Sequence, residues 1–226
     1  MKEQIRNYIF SLGMDVCGFA NIDRFSEAPA GFHPRDIFPD CKSAVMFGLA
    51  LPRGLTKVQP RHIYKHFNYG VCPNVDFAAF KAAKEIERLG GGYAVPLPSD
   101  EPYEYWDAVN TEGRGLLSMK HAAVAAGLGT LGKNTLLLNE KFGNLLTLGA
   151  LLTDLDLPSD PRASSICLEN CRLCLESCPS RALDGVRADQ KKCRSYAYGT
   201  SPRGYGTVEC NRCRTVCPMR FGKRKA

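Results

Sequence analysis

Several features that would assign the chain to a class of protein are missing from its 226 residues. No segment approaches the roughly 18 consecutive apolar residues that a membrane-spanning helix needs. The N-terminal stretch MKEQIRNYIFSLGMD has no long apolar run after its charges, so it does not fit a secretory signal. We therefore expect a soluble, cytoplasmic protein with no membrane partner. Hydrophobic residues make up 44% of the chain, enough for a core that needs no disulfide scaffold.

Cysteine, in contrast, is abundant, with eleven residues in the chain. In a reducing compartment this number indicates metal or redox chemistry rather than disulfides. A block repeats near the C-terminus: Cys171-x2-Cys174-x3-Cys178-Pro179 matches Cys210-x2-Cys213-x3-Cys217-Pro218. Two further cysteines, Cys167 and Cys193, precede the blocks. Three others stand apart and are expected to be ordinary buried thiols: Cys17, Cys41 and Cys72.

The repeated block matches the bacterial ferredoxin rule, in which the cysteine before proline ligates the other cluster. A proline there favours the start of a short helix, which aims the thiolate away from its own loop. We therefore predict two [4Fe-4S] clusters with crossed ligands. The first cluster would bind Cys167, Cys171, Cys174 and Cys217, and the second Cys178, Cys193, Cys210 and Cys213. The first spacing is x3 rather than x2, which a one-residue bulge can absorb. A pair of four-cysteine zinc sites is the alternative.

Charge is divided unevenly along the chain. Residues 162–226 hold 14 Lys/Arg and 5 Asp/Glu, whereas residues 1–161 hold 16 and 18. A basic segment suggests nucleic acid, so a tRNA-binding enzyme is one alternative function. However, an oxidised four-iron cluster with four thiolates carries a charge of about −2, and two clusters would offset part of the basic excess.

The first 160 residues alternate between helical and extended patterns. Helices are predicted at 2–12, 76–89 and 118–126, where Ser118 is placed to cap the helix and Gly127 to end it. Strands are predicted at 15–22, 43–51, 93–97, 135–138 and 145–153. This alternation predicts an α/β sandwich over residues 1–160, and residues 158–165 form a linker into a cluster domain at 161–226.

A glycine-rich stretch, Gly127-Leu-Gly-Thr-Leu-Gly-Lys133, fits the G-x4-G-K part of a phosphate-binding P-loop. The next residue is Asn134, where a P-loop has Ser or Thr, and the helix precedes the stretch instead of following it. We therefore reject a nucleoside triphosphatase. Two interpretations remain open, a tight turn between helix and strand or a loop whose backbone approaches a ligand.

Taken together, the motifs resemble those of epoxyqueuosine reductases and cobalamin-dependent reductive dehalogenases. The resemblance is carried by 118–139, by Phe142-Gly143 and by 148–154 (LGALLTD). It continues through 189–196 (DQKKCRSY) and through Tyr205-Gly206 before Cys210. It covers residues 110–218 well and the first hundred residues loosely.

The resemblance implies an α+β protein, with a nitroreductase-like α/β sandwich followed by a ferredoxin-like domain that holds two [4Fe-4S] clusters. It also implies base-off cobalamin, reduced through the clusters, because the cofactor performs the difficult step in such enzymes. Carried over, the residues near the corrinoid would be Gly127, Gly129, Gly132, Lys133 and Asn134. No Asp-x-His-x-x-Gly stretch is present, so a histidine-ligated corrinoid is not expected, and His121 is predicted to be an ordinary helix residue.

Two departures from the resemblance bear on function. The family's catalytic aspartate, in an Asp-Ser-Ala-Pro-like stretch before the 118–126 helix, has no counterpart at Gly113-Arg-Gly115. The catalytic residue therefore stays unknown, with Tyr69 and Glu112 as weak substitutes. Epoxyqueuosine reductases also continue into a helical region that helps to hold tRNA, whereas this sequence ends eight residues after Pro218. On both grounds tRNA is not the expected partner.

The predicted function is that of an iron–sulfur oxidoreductase, which passes electrons through two clusters to a corrinoid or a small-molecule substrate. A low-potential electron donor protein would be its partner. The alternative is an electron carrier that docks a partner and has no catalytic cofactor of its own.

Overall fold

The computed structural model describes residues 1–59, 61–90, 92–101 and 103–223. Its helices are α1 Lys2–Ser11, α2 Pro34–Ile37, α3 His62–Gly70, α4 Cys72–Arg88, α5 Met119–Ala125, α6 Leu173–Glu176, α7 Gln190–Ala197 and α8 Arg212–Thr215. Its strands are β1 Val16–Asn21, β2 Ser43–Ala50, β3 Ala94–Leu97, β4 Tyr105–Asp107, β5 Glu112–Arg114, β6 Thr130–Leu131, β7 Leu137–Leu138, β8 Leu146–Thr153, β9 Tyr198–Thr200 and β10 Gly206–Val208. Short 3-10 turns lie at Ile22–Phe25 and Arg53–Thr56.

The centre of the fold is an antiparallel sheet in the order β1-β2-β8-β3. Side chains of a strand alternate between the two faces of the sheet, and β2 is apolar on both. Val45 and Phe47 pack on one face, whereas Ala44 and Met46 pack on the other. All four are fully buried, so helices must cover both faces of the sheet.

Helices α1 and α4 cover the face that carries Phe47, and α5 covers the opposite face. The sequence of α4 places small apolar residues at helical spacing, and Ala79, Ala82 and Ile86 are buried against the sheet. The close approach of α5 also depends on alanines, among them Ala122 and Ala123. The result is a three-layer arrangement of helix, sheet and helix.

The mixed α/β architecture predicted from the sequence is confirmed, and most element bounds agree within one or two residues. The predicted strand at 135–138 is reduced to β7, and α4 begins four residues earlier than predicted, at Cys72. Gly127 ends α5 with a φ of 76°, as predicted. Ser118 occupies the N-cap position of α5 but makes no side-chain capping bond, because its hydroxyl bonds with His121 Nδ1 at 2.7 Å.

Residues 161–223 form short helices and the β9–β10 hairpin. The buried apolar side chains of this segment are few: Ile166, Cys174, Ala182, Ala197 and Val208. Such a small core stabilises a chain of this length only weakly, so the segment needs another source of stability. The division into domains at residue 160 stays a prediction.

Among the residues described, no helix has both the length and the apolar character needed to cross a membrane.

Candidate functional site

The structure gathers four of the predicted cluster ligands around one small cavity. Its lining includes the thiols of Cys167, Cys171, Cys174 and Cys217, so a cysteine of the second block faces three from the first region. Burial raises the pKa of Cys217, and the nearby thiols of Cys167, Cys174 and Cys171 act in the same direction. Four thiols around one cavity form a donor set that would bind a cationic metal core as thiolates.

The other four predicted ligands also lie together. Burial raises the pKa of the Cys213 thiol to about 11, and the neighbouring thiols of Cys193, Cys210 and Cys178 contribute to that rise. The sulfur of Cys178 accepts a hydrogen bond from the backbone N–H of Ala182 at 3.4 Å. Cys178 thus lies near Cys193, Cys210 and Cys213 rather than among the four cysteines that surround the cavity.

Within the described ranges, no three His, Cys, Asp or Glu side chains converge closely enough to hold a single metal ion. A tetrahedral zinc site would need its thiolates about 2.3 Å from one point. No three thiols of either group meet that condition in the described residues.

The glycine-rich turn approaches the chain's own backbone. A Cβ added at Gly127 would meet the carbonyl oxygen of Pro161, and one added at Gly129 would meet that of Leu138. One added at Gly132 would lie 2.7 Å from Asn134 Oδ1 and 2.8 Å from the Leu138 side chain. Of the two interpretations left open by the sequence, these contacts are those of a tight turn.

The two residues that follow the turn contact the cysteine-bearing segments. Lys133 Nζ donates to the backbone carbonyls of Cys171 at 3.0 Å and Leu168 at 3.3 Å, and also to that of Glu169. Asn134 is buried, and its Nδ2 donates to the carbonyl of Cys213 at 2.9 Å. The contacts of these two residues and of the three glycines described above all lie within the chain. A contact between these five residues and a corrinoid stays a prediction.

A cleft opens beside α5, separate from the cavity that the first group of cysteines lines. It consists of a cavity of about 390 Å³ and one of about 220 Å³, whose linings share Ser99, Asp100, Met119 and Lys120. Volumes in this range suit small molecules and parts of cofactors. The smaller cavity is also lined by Arg214, which adjoins Cys213 in the sequence, so the cleft reaches the second group of cysteines.

Asp100 is a carboxyl group in the shared part of this cleft, and the sequence analysis missed it. Burial raises its pKa, although a hydrogen bond from the Tyr103 hydroxyl, at 3.2 Å, acts in the opposite direction. The preceding residue is fixed because Ser99 N donates to Asp76 Oδ1 at 2.7 Å. The sequence does contain two acidic residues before a proline, Asp100-Glu101-Pro102, shortly after β3. The resemblance implied an aspartate shortly before α5, but the β4–β5 hairpin separates Asp100 from α5.

Tyrosines extend the polar groups around Asp100. Tyr69 lines the cleft and donates to the hydroxyl of Tyr198 at 2.7 Å. Burial raises the pKa of Tyr69, and Asp100 contributes to the rise. Arg194 donates to Tyr103 at 3.2 Å, which links the residue after Cys193 to the cleft. Of the two suggested substitutes for the aspartate, Tyr69 lies in the cleft.

Glu112, the other suggested substitute, lies on β5 and pairs with Arg114 at 2.9 Å, in a separate open depression. His121 stands on the exposed side of α5, as expected of a helix residue. Cys17 and Cys41 are buried, which raises their pKa values to about 12 and about 11. Cys72 differs from the expectation of a buried thiol because it is half-buried and lines the cleft.

The chain is similar in sequence to several known proteins. No protein-family model matches the chain. An epoxyqueuosine reductase of Pseudomonas aeruginosa is 40% identical over 116 residues, which is 46% of this chain and 32% of the relative. Those of Bacillus cereus and Listeria monocytogenes are 26% and 28% identical over 98% of this chain. The chain spans about 65% of the length of these two relatives.

Solved structures show the same fold. An epoxyqueuosine reductase with a modified tRNA stem loop covers 100% of this chain, with a TM-score of 0.68 and 20% identity, and 66% of that protein is matched. A catabolic reductive dehalogenase covers 96% of this chain, with a TM-score of 0.72 and 19% identity, and 31% of that protein is matched. A related structure is described as that of a B12-dependent dehalogenase. The chain is thus similar to epoxyqueuosine reductases over 98% of its length, and it shares its fold with them and with reductive dehalogenases.

Proposed function

We propose that the protein is an iron–sulfur oxidoreductase with two [4Fe-4S] clusters beside a reductive cleft. The observation that carries the proposal is the division of eight cysteines into two groups of four, each drawing members from both sequence blocks. The ferredoxin rule requires this exchange of the last cysteine, and separate zinc sites within each block do not. Ligands are thus Cys167, Cys171, Cys174 and Cys217 for the first cluster, and Cys178, Cys193, Cys210 and Cys213 for the second.

The residues present fit such clusters. Each group supplies four thiols, the number of protein ligands that a four-iron cluster needs. The basic excess of residues 162–226 offsets the negative charge that clusters with four thiolates carry. We propose that residues 161–226 form the cluster domain and residues 1–160 the domain that holds the cleft.

The cleft is the proposed site of a corrinoid or a small-molecule substrate. Its combined lining is largely apolar around a few polar groups, as in other cofactor sites, and one of the similar structures is described as B12-dependent. Met119, Leu117 and Leu148 would provide apolar walls, and Lys120 and Asp100 the polar groups. Bound base-off cobalamin would supply the strongly reducing cobalt that such chemistry needs. The five residues of the glycine-rich turn and its flank do not line this cleft, so a contact between them and the corrinoid is a separate hypothesis.

Asp100 is the proposed proton donor of the cleft. A reduction that takes up electrons also takes up protons, and a carboxyl with a raised pKa holds its proton closer to neutral pH. Tyr103 donates a hydrogen bond to Asp100, and Arg194 holds Tyr103 in turn, so the carboxyl group is fixed in position.

The proposed partner of the protein is an electron donor protein. Two one-electron clusters call for a low-potential donor protein. One of the similar structures contains a tRNA stem loop, but this chain matches only 66% of that protein, and we do not propose tRNA as its substrate. The alternative function, an electron carrier with no cofactor in its cleft, is separated from the first by the following titration.

Cobalamin is added anaerobically to the reconstituted protein, and the visible spectrum is followed for conversion to the base-off form. Two variants carry the same bulky side chain at different places. Met119→Trp fills the wall of the cleft, whereas Val109→Trp lies on a turn where the native side chain is 78% exposed. The proposal predicts a spectral shift in the wild type and Val109→Trp but not in Met119→Trp. If iron content is intact and no protein gives a shift, the electron carrier is the better description.

A further inference from the structure

Lys133 stands out among the basic residues because it lies in the wall of the cavity that the first group of cysteines lines. Its chain position is in the α/β part of the molecule, 34 residues before Cys167. Its ammonium group reaches the loop between Cys167 and Cys171 and donates to three backbone carbonyls there, those of Leu168, Glu169 and Cys171. One side chain thus ties the glycine-rich turn to the loop that would wrap the first cluster.

Among the described residues, no carboxylate forms an ion pair with Lys133. The hydrogen-bond acceptors of its ammonium group are the three backbone carbonyl oxygens. A neutral donor could make hydrogen bonds to the same carbonyls. The positive charge is therefore available to act on whatever the four thiols bind.

The adjacent residue provides an internal comparison. Asn134 Nδ2 donates to the carbonyl of Cys213, and so it holds the second block much as Lys133 holds the first. Asn134 carries no charge. The two residues thus give each cysteine block a similar anchor, but only Lys133 adds a charge; the second group has its own nearby cations, Arg194 and Arg214.

We propose that Lys133 raises the reduction potential of the cluster bound by Cys167, Cys171, Cys174 and Cys217. This inference rests on the proposed function, since it requires the clusters. On reduction the cluster accepts one electron from an external low-potential donor protein, and no bond forms or breaks. The reduced cluster carries one more negative charge, which a cation in the wall of the same cavity stabilises in a partly buried site. The second group of cysteines lies near Arg194 and Arg214 instead, so the potential of its cluster should not depend on Lys133.

The test is a redox titration of the reconstituted protein, with the reduced clusters followed by EPR. Lys133→Met removes the charge and the hydrogen bonds, Lys133→Gln removes the charge but keeps an amide donor, and Lys133→Arg keeps both. Lys84→Met, at an exposed position of α4 outside this cavity, changes the net charge equally. We expect Met and Gln at position 133 to shift one of the two reduction equilibria about tenfold towards the oxidised form, which is about 59 mV for one electron. Arg at 133 and Met at 84 should leave both equilibria near their wild-type values.

Unchanged equilibria in Lys133→Gln, with iron content intact, would overturn the inference. So would loss of iron from both the Met and Gln variants but not from Arg, since Lys133 would then be needed to build the site rather than to tune it. A wild-type protein that holds no iron and no sulfide would instead defeat the proposed function. The two failures are therefore distinguishable.

Discussion

At the scale of single residues, Asp100 carries the most chemistry outside the cysteines. Its carboxyl group is held in the cleft by Tyr103, and burial raises its pKa. A raised pKa means that the folded protein binds a proton more tightly than the unfolded chain does. The contribution of this group to stability is therefore present below its unfolded pKa, near 3.9, and is lost as the pH rises through the folded pKa.

Replacing Asp100 with Asn is therefore expected to stabilise the protein above the folded pKa of Asp100. The gain in the free energy of unfolding should shrink as the pH falls towards the unfolded pKa of about 3.9, since the carboxyl group is increasingly protonated in both states. Urea unfolding between pH 4 and pH 8 measures this. Asp107→Asn is the control, and its change in the free energy of unfolding should have the opposite sign. Hydrogen bonds from Asn110 and Val109 lower the pKa of Asp107, so loss of this carboxylate should destabilise the protein at neutral pH. A pH-independent difference for Asp100→Asn would contradict the assignment.

Single residues also show what the sequence could and could not predict. The cysteine spacing alone indicated which cysteines lie together, because ligand spacing reflects the geometry of the bound group. Asp100 was missed because the hairpin between β3 and α5 has no strong sequence pattern and displaced the residue from the expected position. The partners of Lys133 were also missed, since nothing local in the sequence shows that residues 168–171 lie beside it.

At the scale of elements, the periodic and apolar segments were predicted well. β2, β8 and α4 are long enough for periodicity and burial to agree, whereas β4, β5, β9 and β10 each span only three residues. Pairings of such short strands depend on distant contacts. For example, Gly113 on β5 exchanges two hydrogen bonds with the side chain of Gln190 on α7, both at 3.0 Å.

The glycine-rich turn allows a prediction at this scale. Gly127 and Gly13 both have positive φ, 76° and 88°, and alanine is strained at either position. A Cβ at Gly127 would also meet the Pro161 carbonyl, whereas Gly13 has nothing within 4 Å. We expect Gly127→Ala to lower the free energy of unfolding by about 1–3 kcal/mol more than Gly13→Ala does. Denaturant unfolding of the two variants compares them, and equal losses would show that the turn is loosely packed.

At the scale of the whole molecule, the two parts of the chain differ in what stabilises them. The sheet and its helices have two large apolar cores, whereas residues 161–223 bury few apolar side chains. Metal binding contributes directly to the folding of segments with little core. If the clusters are present, they are the main stabilising groups of the C-terminal segment.

Removal of iron is therefore expected to unfold the C-terminal segment selectively. Hydrogen exchange measured by mass spectrometry should show loss of amide protection over residues 161–223 after anaerobic chelation. Protection of β2 and β8 should persist, because their cores contain none of the eight proposed cluster ligands. A C-terminal segment that stays protected without metal would mean that it is held by its contacts with the α/β part alone.

The most direct test of the central claim is the iron and acid-labile sulfide content of the anaerobically purified protein. Two [4Fe-4S] clusters require about eight iron and about eight sulfide per chain. Cys217→Ser should reduce the signal of the cluster held by Cys167, Cys171 and Cys174, although Cys217 belongs to the other sequence block. About two zinc ions per chain with no sulfide, or a Cys217→Ser protein that loses only the cluster of its own block, would contradict the account.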